Sequence, residues 1–328
     1  MNLSRRTLLK SAAAASSLMA GLPAAQAQTL DVARVYGGFA AGGSVDTLSR
    51  RLAEKLAPDY AKAVLVEPKP GAGGQLAIST TKSSAPDGRT MLVTPMSMLA
   101  IYPHTFRKLP YDPFTDLTPV SVIANFEFGF GVGPAVPAEV KTVPQFMAWA
   151  KANPQKASFG TPGAGSSTHF IGILLGREGG VELTHVGYRG SQPAVLDMMG
   201  GQLPAISAPL GEFLPHLAGG KVRLLGTSGA KRNAFTANIP TYAEQGFKNM
   251  VFEEQFCLYL PPGASPAVVE RLRRASEKAM TAPEVAAALA TFAIVPATST
   301  PAGLAALQKA EHDRWGPVVR SIGFTADT

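Results

Sequence analysis

Short apolar runs alternate with amphipathic segments along most of this chain. Strand-like runs are predicted at residues 32–36, 64–66, 91–93, 120–123, 128–132, 157–160 and 222–226. Between the first two, Val45, Leu48, Leu52 and Leu56 recur every three or four positions, which predicts a helix over residues 45–56. Strands that alternate with helices favour an α/β fold with a parallel sheet.

The rest of the chain continues this pattern and ends in helices. Predicted helices lie at residues 75–82, 143–152, 166–176, 192–199, 266–280, 283–290 and 301–319. The last three begin with a proline, a residue that suits the first helical turn.

The N-terminus has the pattern of an export signal. Arg5 and Arg6 precede a modestly apolar stretch at residues 12–22, and Ala25 and Ala27 form a small-residue cleavage site. We therefore expect residues 1–27 to be a signal peptide and the mature protein to be periplasmic. Paired arginines are typical of a twin-arginine signal, and an ordinary secretory signal is the alternative.

The length and charge of the mature chain narrow its class. Cleavage leaves 328 − 27 = 301 residues, which favours two lobes. The 30 basic residues fall to 27 against 23 acidic ones, a net charge of +4. This mild excess suits small anions, and the basic tracts of a nucleic-acid binder are absent.

Two glycine-rich loops, at residues 39–46 and 161–169, each lead from a predicted strand into a helix. Helix N-termini offer free N–H groups and a positive dipole end, so both loops are candidate anion sites. Turn formation and helix capping, with Ser44 as a cap, would explain either loop alone. Two such loops, one in each half, favour a ligand held from both sides. Asp46 either stabilises its helix dipole or orients the ligand.

Features of an enzyme are weak in this sequence. The five histidines lack metal-ligand spacing, and no Gly-x-Ser-x-Gly elbow occurs. Two Ser-x-x-Lys matches, at residues 79–82 and 228–231, lack their partner motifs. The single cysteine, Cys257, lies in an apolar run and reads as a buried structural thiol. We expect no catalytic residue, no metal and no cofactor.

Several motifs in order resemble the Bug/TctC-type receptors of tripartite tricarboxylate transporters. They cover nearly the whole mature chain and lie at residues 39–46, 67–74, 85–88, 109–113, 165–169, 185–190, 200–202 and 239–241. The resemblance implies a two-lobe, hinge-closing periplasmic binding protein of type II, with the ligand in the interlobe cleft. Residues 28–124 plus 249–328 would form lobe 1, and residues 125–248 lobe 2. It implies delivery of a small organic carboxylate to membrane permease subunits. We expect a monomer, because closure around the ligand must leave both lobes free to move.

The loops and the resemblance together predict a ligand-binding set. Its members are Phe39, Ala40, Ala41, Gly42, Gly43, Ser44, Asp46, Met96, Ser97, Thr161, Ser166, Ser167, Thr168 and Tyr188. A bulky residue at Gly43 is expected to abolish binding, because backbone donors need close approach.

The sequence also departs from the family pattern. Pro204 and Ala208 stand about where relatives commonly carry aspartates, so a ligand amino group would lack a partner there. Met96, Met98, Phe126 and Phe128 could cover an aromatic or alkyl body, or could simply pack in the core. The expected ligand is a carboxylate with an apolar body and no required amino group. A sensor subunit is the alternative function, and a hydrolase on a related fold is a weaker one.

Overall fold

The computed structural model describes residues 29–326, and the predicted signal peptide lies outside them. The α/β class is confirmed. Ten strands are present in the described chain: β1 Leu30–Gly37, β2 Ala61–Pro68, β3 Thr90–Pro95, β4 Thr118–Val132, β5 Ser158–Thr161, β6 Thr184–Gly187, β7 Ala205–Pro209, β8 Arg223–Thr227, β9 Glu253–Leu260 and β10 Ile294–Pro296.

The helices lie between and after these strands. They are α1 Ser44–Leu56, α2 Gln75–Lys82, α3 Ser97–Ala100, α4 Tyr102–Thr105, α5 Val143–Ala152, α6 Ser167–Glu178, α7 Ser191–Met199, α8 Leu214–Leu217, α9 Pro266–Met280, α10 Pro283–Ala290 and α11 Pro301–Ile322. Within residues 29–326, none of them is both long and apolar enough to cross a bilayer.

The sheet has two halves of similar design. Its strand order is β2-β1-β3-β9-β4-β7-β5-β6, with β8 and β10 also paired to β4. In the first half β1 pairs in parallel with β2 and β3, and in the second half β5 pairs in parallel with β6 and β7. The parallel sheet expected from the strand–helix alternation is therefore present in each half.

The 15-residue strand β4 belongs to both halves. Its residues from Thr118 to Glu127 pair antiparallel with β9, whereas those from Phe128 to Val132 pair with β7. The prediction of two separate strands at 120–123 and 128–132 was wrong. The intervening residues 124–127 contain no glycine or proline, and they stay paired to β9. The register between β4 and β9 shifts just before them, between Val122 and Ala124.

The helix starts follow the sequence signals with one correction. Pro266, Pro283 and Pro301 each occupy the first turn of a helix, as predicted. Ser44 was expected to cap α1, but Gly43 is the cap and no side chain from the loop fills that role.

One hydrophobic core runs through both halves. It includes Val35 and Leu48 from the first half and Phe130, Phe146 and Phe159 from the second. Cys257 is fully buried, as predicted for a structural thiol. The predicted crossing near Ala124 falls inside β4, and the predicted return near Lys248 falls between β8 and β9. The exact lobe limits stay a prediction.

Because β4 and the core join the halves, loss of a buried β4 side chain should weaken the whole molecule. Phe130 is fully buried, and its ring centroid lies 5.1 Å from that of Phe146. We expect Phe130→Ala to lower the free energy of unfolding by about 3–5 kcal/mol. Urea unfolding should show one transition at a lower midpoint. Phe235→Ala, at a ring that is 48% exposed, is the control and should change stability by at most ~0.5 kcal/mol. Two separate transitions, or equal losses in both variants, would contradict the shared core.

Candidate functional site

A cavity lies where the two halves of the sheet meet. It has a volume of about 510 Å³, its mouth included. The first half contributes Phe39, Ala40, Gly43, Ser44, Val45, Pro95, Ser97, Met98, Phe126, Glu254 and Phe256, and the second half contributes Phe128, Pro162, Gly163, Ser166, Thr168, Ser191, Pro209 and Glu212.

The first glycine-rich loop leads from β1 into α1 and borders this cavity. Its Gly42 N–H donates to Asp46 Oδ2 at 2.9 Å, and the same oxygen accepts from Arg50 Nε at 2.9 Å. Asp46 does not line the cavity. Its carboxylate therefore braces the loop and the first turn of α1, which favours the structural interpretation of this residue.

The second loop leads from β5 into α6. Ser166 Oγ donates to the Gly163 carbonyl at 2.7 Å and lies 2.8 Å from Thr168 Oγ1. Because the Ser166 hydroxyl is directed to the loop, it does not cap α6. The first N–H groups of a helix have no partner within it, so α6 presents donors beside the cavity.

The structure divides the predicted binding set. Those that line the cavity are Phe39, Ala40, Gly43, Ser44, Ser97, Ser166 and Thr168. Met96 and Ser167 instead line a smaller neighbouring cavity, which shares Ser97, Phe128 and Glu254 with the first. Ala41 and Gly42 belong to the first loop but do not line the main cavity. Thr161 Oγ1 and His185 Nε2 form a hydrogen bond of 2.7 Å, and the Tyr188 hydroxyl donates to Asp197 at 2.8 Å. Both side chains therefore bond within the second half and do not line the cavity.

Two buried glutamates in the cavity wall were missed by sequence reasoning. Glu212 Oε1 accepts from the Ser44 N–H at 2.7 Å, and Glu212 Oε2 accepts from Gln192 Nε2 at 2.9 Å. Glu254 Oε1 accepts from the Ser97 N–H at 2.7 Å. One N–H at the start of α1 and one at the start of α3 are thus each bonded to one of the protein's own carboxylates.

The environment of these carboxyls disfavours their charge. Glu212 is 2% exposed and Glu254 is 6% exposed. Burial raises the pKa of Glu212, and the Ser44 N–H partly offsets that rise. Burial likewise raises the pKa of Glu254, which hydrogen bonds from Ser167 and Ser97 oppose. The sequence argument from Pro204 and Ala208 concerned only those two positions and did not include these two acidic groups.

The sequence held only a faint signal for these residues. Glu212 follows Leu210 and Gly211 directly after β7, and Glu254 is the second residue of β9. A carboxylate at the end of an apolar strand is an ordinary surface feature, so neither position stood out before the fold was known.

Aromatic side chains form the apolar wall. The rings of Phe126 and Phe256 stack with centroids 4.1 Å apart, and Phe126 meets Phe128 edge-on at 5.2 Å. Phe126, Phe128 and Met98 line the cavity, as one of the two sequence interpretations proposed, whereas Met96 does not.

Two histidines, His169 and His185, pack against each other beside the second loop. His169 Nδ1 accepts from the Gly165 N–H at 3.0 Å, and its ring lies 3.8 Å from that of His185. Burial lowers the pKa of His169 to about 3 and that of His185 to about 4. Both rings are therefore neutral at physiological pH. No cluster of three or more His, Cys, Asp or Glu in residues 29–326 is arranged to hold a metal ion.

Sequence comparisons connect this chain with a family of known proteins. Residues 48–324 match the model of the tripartite tricarboxylate transporter family receptor. The chain is 36% identical over 265 residues to the UPF0065 protein in the gbd 5'region of Cupriavidus necator, covering 80% of this chain and 79% of the relative. It is 30% identical to Protein BugT of Bordetella pertussis, covering 87% of each chain.

Solved structures agree with these sequence matches. A structure described as a periplasmic transporter has a TM-score of 0.84 and 32% identity, covering 93% of this chain and 99% of the other. R. palustris Rpa4515, solved with adipate, has a TM-score of 0.84 and 27% identity, covering 91% of this chain and 99% of the other. The binding-protein fold expected from the resemblance is confirmed.

The neutral histidine pair should make stability depend on pH. A pKa below the unfolded value means that the unfolded chain binds more protons, so stability falls as pH drops below about 6.5 toward 4. We expect each histidine to cost up to about 2 kcal/mol between pH 7 and pH 5, opposed in part by Glu212 and Glu254. Urea unfolding at the two pH values measures the loss.

The variant His185→Gln isolates this effect. Its glutamine can still bond Thr161 but cannot take up a proton, so the loss between pH 7 and pH 5 should shrink. His216→Gln, in α8, is the control. An unchanged pH slope in His185→Gln would show that the pair does not govern acid stability.

Proposed function

The chain belongs to the tripartite tricarboxylate transporter receptor family, and we propose that it captures a small organic carboxylate in the cavity between its halves. The family consists of solute-binding receptors and not of enzymes, which disposes of the hydrolase alternative. We further propose that the receptor works in the periplasm after export by residues 1–27. It would hand its solute to the membrane permease subunits of a transporter of this family.

One observation carries the proposal: α6 opens beside the cavity without a side-chain cap. The partial positive charge at a helix N-terminus favours a carboxylate, and its free N–H groups can donate to both oxygens. Ser166 and Thr168 border the same space. The related R. palustris protein, solved with adipate, supports a carboxylate as the solute class.

The shape of the cavity supports a solute with an apolar body. Phe39, Phe126, Phe128 and Phe256 cover much of its wall, and Met98 adds a flexible side chain. Burial of apolar ligand surface against them would supply binding energy, while the donors of α6 would fix the orientation.

A thermal-shift screen tests the proposed function. The panel contains adipate, malate and aliphatic and aromatic monocarboxylates. A compound at 100 times its dissociation constant should stabilise the protein by about 2.7 kcal/mol. Absence of a shift with every carboxylate, alongside a shift with uncharged or purely cationic solutes, would refute a carboxylate receptor.

The variant Gly43→Val should abolish binding of any carboxylate found in that screen. An added Cβ would lie 3.2 Å from Glu212 Oε1 and 3.5 Å from Oε2, so valine must displace this carboxylate or the loop. Calorimetry should show at least a tenfold loss of affinity, about 1.4 kcal/mol.

Its control is Gly187→Val at the end of β6, where an added Cβ meets only His185 at 3.6 Å. Both variants should remain folded by circular dichroism. Unchanged affinity in Gly43→Val would remove the first loop from the site.

A further inference from the structure

The wall of the main cavity has two acidic side chains and no basic one. Among the described residues that line it, Glu212 and Glu254 are the charged groups, and no lysine, arginine or histidine joins them. No salt bridge within residues 29–326 involves either glutamate. A carboxylate that leaves water needs a cation or several hydrogen-bond donors to offset its lost hydration. Each carboxylate of a solute must therefore find free donors in this wall.

Glu212 already uses the donors around it. Its Oε1 accepts from the Ser44 N–H at 2.7 Å, and its Oε2 accepts from the Gln192 amide at 2.9 Å. The hydroxyls of Ser44 and Ser191 bond to the same carboxyl. An ionised carboxylate offers about four acceptor positions, so these donors nearly fill them. The donors at this side of the cavity are thus committed to the protein's own acid.

Glu254 uses the donors at the start of α3 in the same way. Its Oε1 accepts from the Ser97 N–H at 2.7 Å, and the hydroxyls of Ser97 and Ser167 bond to the same carboxyl. A solute carboxylate at the start of α1 or of α3 would consequently lie next to a buried carboxylate of the protein. Like charges at such short range repel strongly where water is excluded.

The two other hydroxyls of the wall bond to each other and to the second loop. Ser166 Oγ donates to the Gly163 carbonyl at 2.7 Å and lies 2.8 Å from Thr168 Oγ1. A hydroxyl has one proton, so Thr168 is the donor in the second of these bonds. What the loop offers to a solute is therefore the backbone N–H groups at the start of α6, and one helix start suits one carboxylate.

The rest of the wall is apolar and faces the remainder of the solute. Phe126 and Phe256 stack with centroids 4.1 Å apart, Phe128 meets Phe126 edge-on, and Phe39 and Met98 lie in the same wall. A second ionised group against these side chains would lose its hydration and gain no donor. An alkyl or aromatic group in the same position would gain from burial.

The smaller neighbouring cavity offers no better place for a second acid group. It adjoins the main cavity at Glu254, and Arg314 is the basic side chain among the described residues that line it. The Arg314 guanidinium already donates to Glu311 at 2.6 Å. Glu253, Glu254 and Glu311 all belong to this lining, so its charge is negative.

We infer that the solute carries a single carboxylate, held at α6, and that its other end is uncharged and apolar. The inference rests on the proposed function and names its solute class as the monocarboxylates. Dicarboxylates are rejected because their second charge would meet two buried glutamates whose donors are already used. The chain should therefore bind a monoacid more tightly than the diacid of the same length.

Calorimetry on matched acids that differ at one end tests this rejection. The aliphatic set is hexanoate, adipate and monomethyl adipate, and the aromatic set is 4-methylbenzoate, terephthalate and monomethyl terephthalate. In each diacid a carboxylate replaces a methyl group of similar size, and the ester removes its charge. We expect the monoacid to bind about tenfold or more tighter than its diacid, because an uncompensated buried charge costs at least that much. The ester should recover most of the lost affinity.

The outcomes separate this inference from the proposed function. A diacid that binds as tightly as its monoacid overturns the inference and leaves the carboxylate receptor intact. Hexanamide and 4-methylbenzamide replace the first carboxylate, and an amide that binds as tightly as its acid refutes the carboxylate function itself. If neither set binds, the thermal-shift screen supplies the body for the matched pair. A screen in which only dicarboxylates bind overturns the inference.

Substitutions then assign the discrimination to the two glutamates. Glu212→Gln and Glu254→Gln keep the size of the side chain and an oxygen for the helix N–H, but each removes one negative charge. Each should narrow the ratio between monoacid and diacid affinities by roughly threefold or more, mainly by strengthening the diacid. A purely structural role would weaken both acids together and leave that ratio unchanged.

Glu253→Gln is the matched control, because this neighbour on β9 is exposed and does not line the main cavity. It should leave the ratio unchanged. Thermal unfolding of each variant without solute verifies the fold. An unchanged ratio in folded Glu212→Gln and Glu254→Gln would overturn the inference. If either variant fails to fold, the comparison of diacid with ester in the unaltered protein decides.

Discussion

The shared strand β4 is the constraint on which the rest of this structure depends. Its first part is hydrogen bonded to β9 and its last part to β7 and β8, so one chain segment belongs to both halves of the sheet. The strand therefore fixes the distance between the parallel strands of the first half and those of the second half. The loops that follow β1, β3 and β5 consequently open onto one cavity. Phe126 and Phe128, on either side of the change of partners, form part of its wall.

Helix starts meet at this cavity, and the protein treats them differently. One N–H at the start of α1 bonds to Glu212 and one at the start of α3 bonds to Glu254, whereas the Ser166 side chain at the start of α6 does not cap its helix. Glu212 belongs to the second half and bonds a helix of the first, so this hydrogen bond also joins the halves across the cavity. The result is a site with both acceptors and donors of hydrogen bonds. Such a site suits the recognition of a solute through the positions of the solute's polar groups. It does not suit a chemical reaction with that solute.

The surroundings of the site are built to keep its groups in place. Asp46 holds the first loop through Gly42, and His169 holds the second through Gly165. The contribution of these residues is to position the backbone of the two loops. A receptor gains affinity from such rigidity, because fewer groups lose freedom when the solute binds.

The sequence by itself determined the features that depend on neighbouring residues. Strand-loop-helix units, the proline starts of the last helices and the two glycine-rich loops all follow from local spacing and turn chemistry. The motifs were sufficient to identify the family, because they occur in the family's order along nearly the whole chain. Only the tertiary structure decided which polar groups meet. Glu212 lies 168 residues from Ser44, and Glu254 lies 157 residues from Ser97, so no local pattern could pair them. The same limit explains Asp46, Thr161 and Tyr188, whose side chains found partners within the protein and not in the cavity. A side chain's bonding partner depends on the packing of distant segments, and that packing is fixed only when β4 joins the two halves.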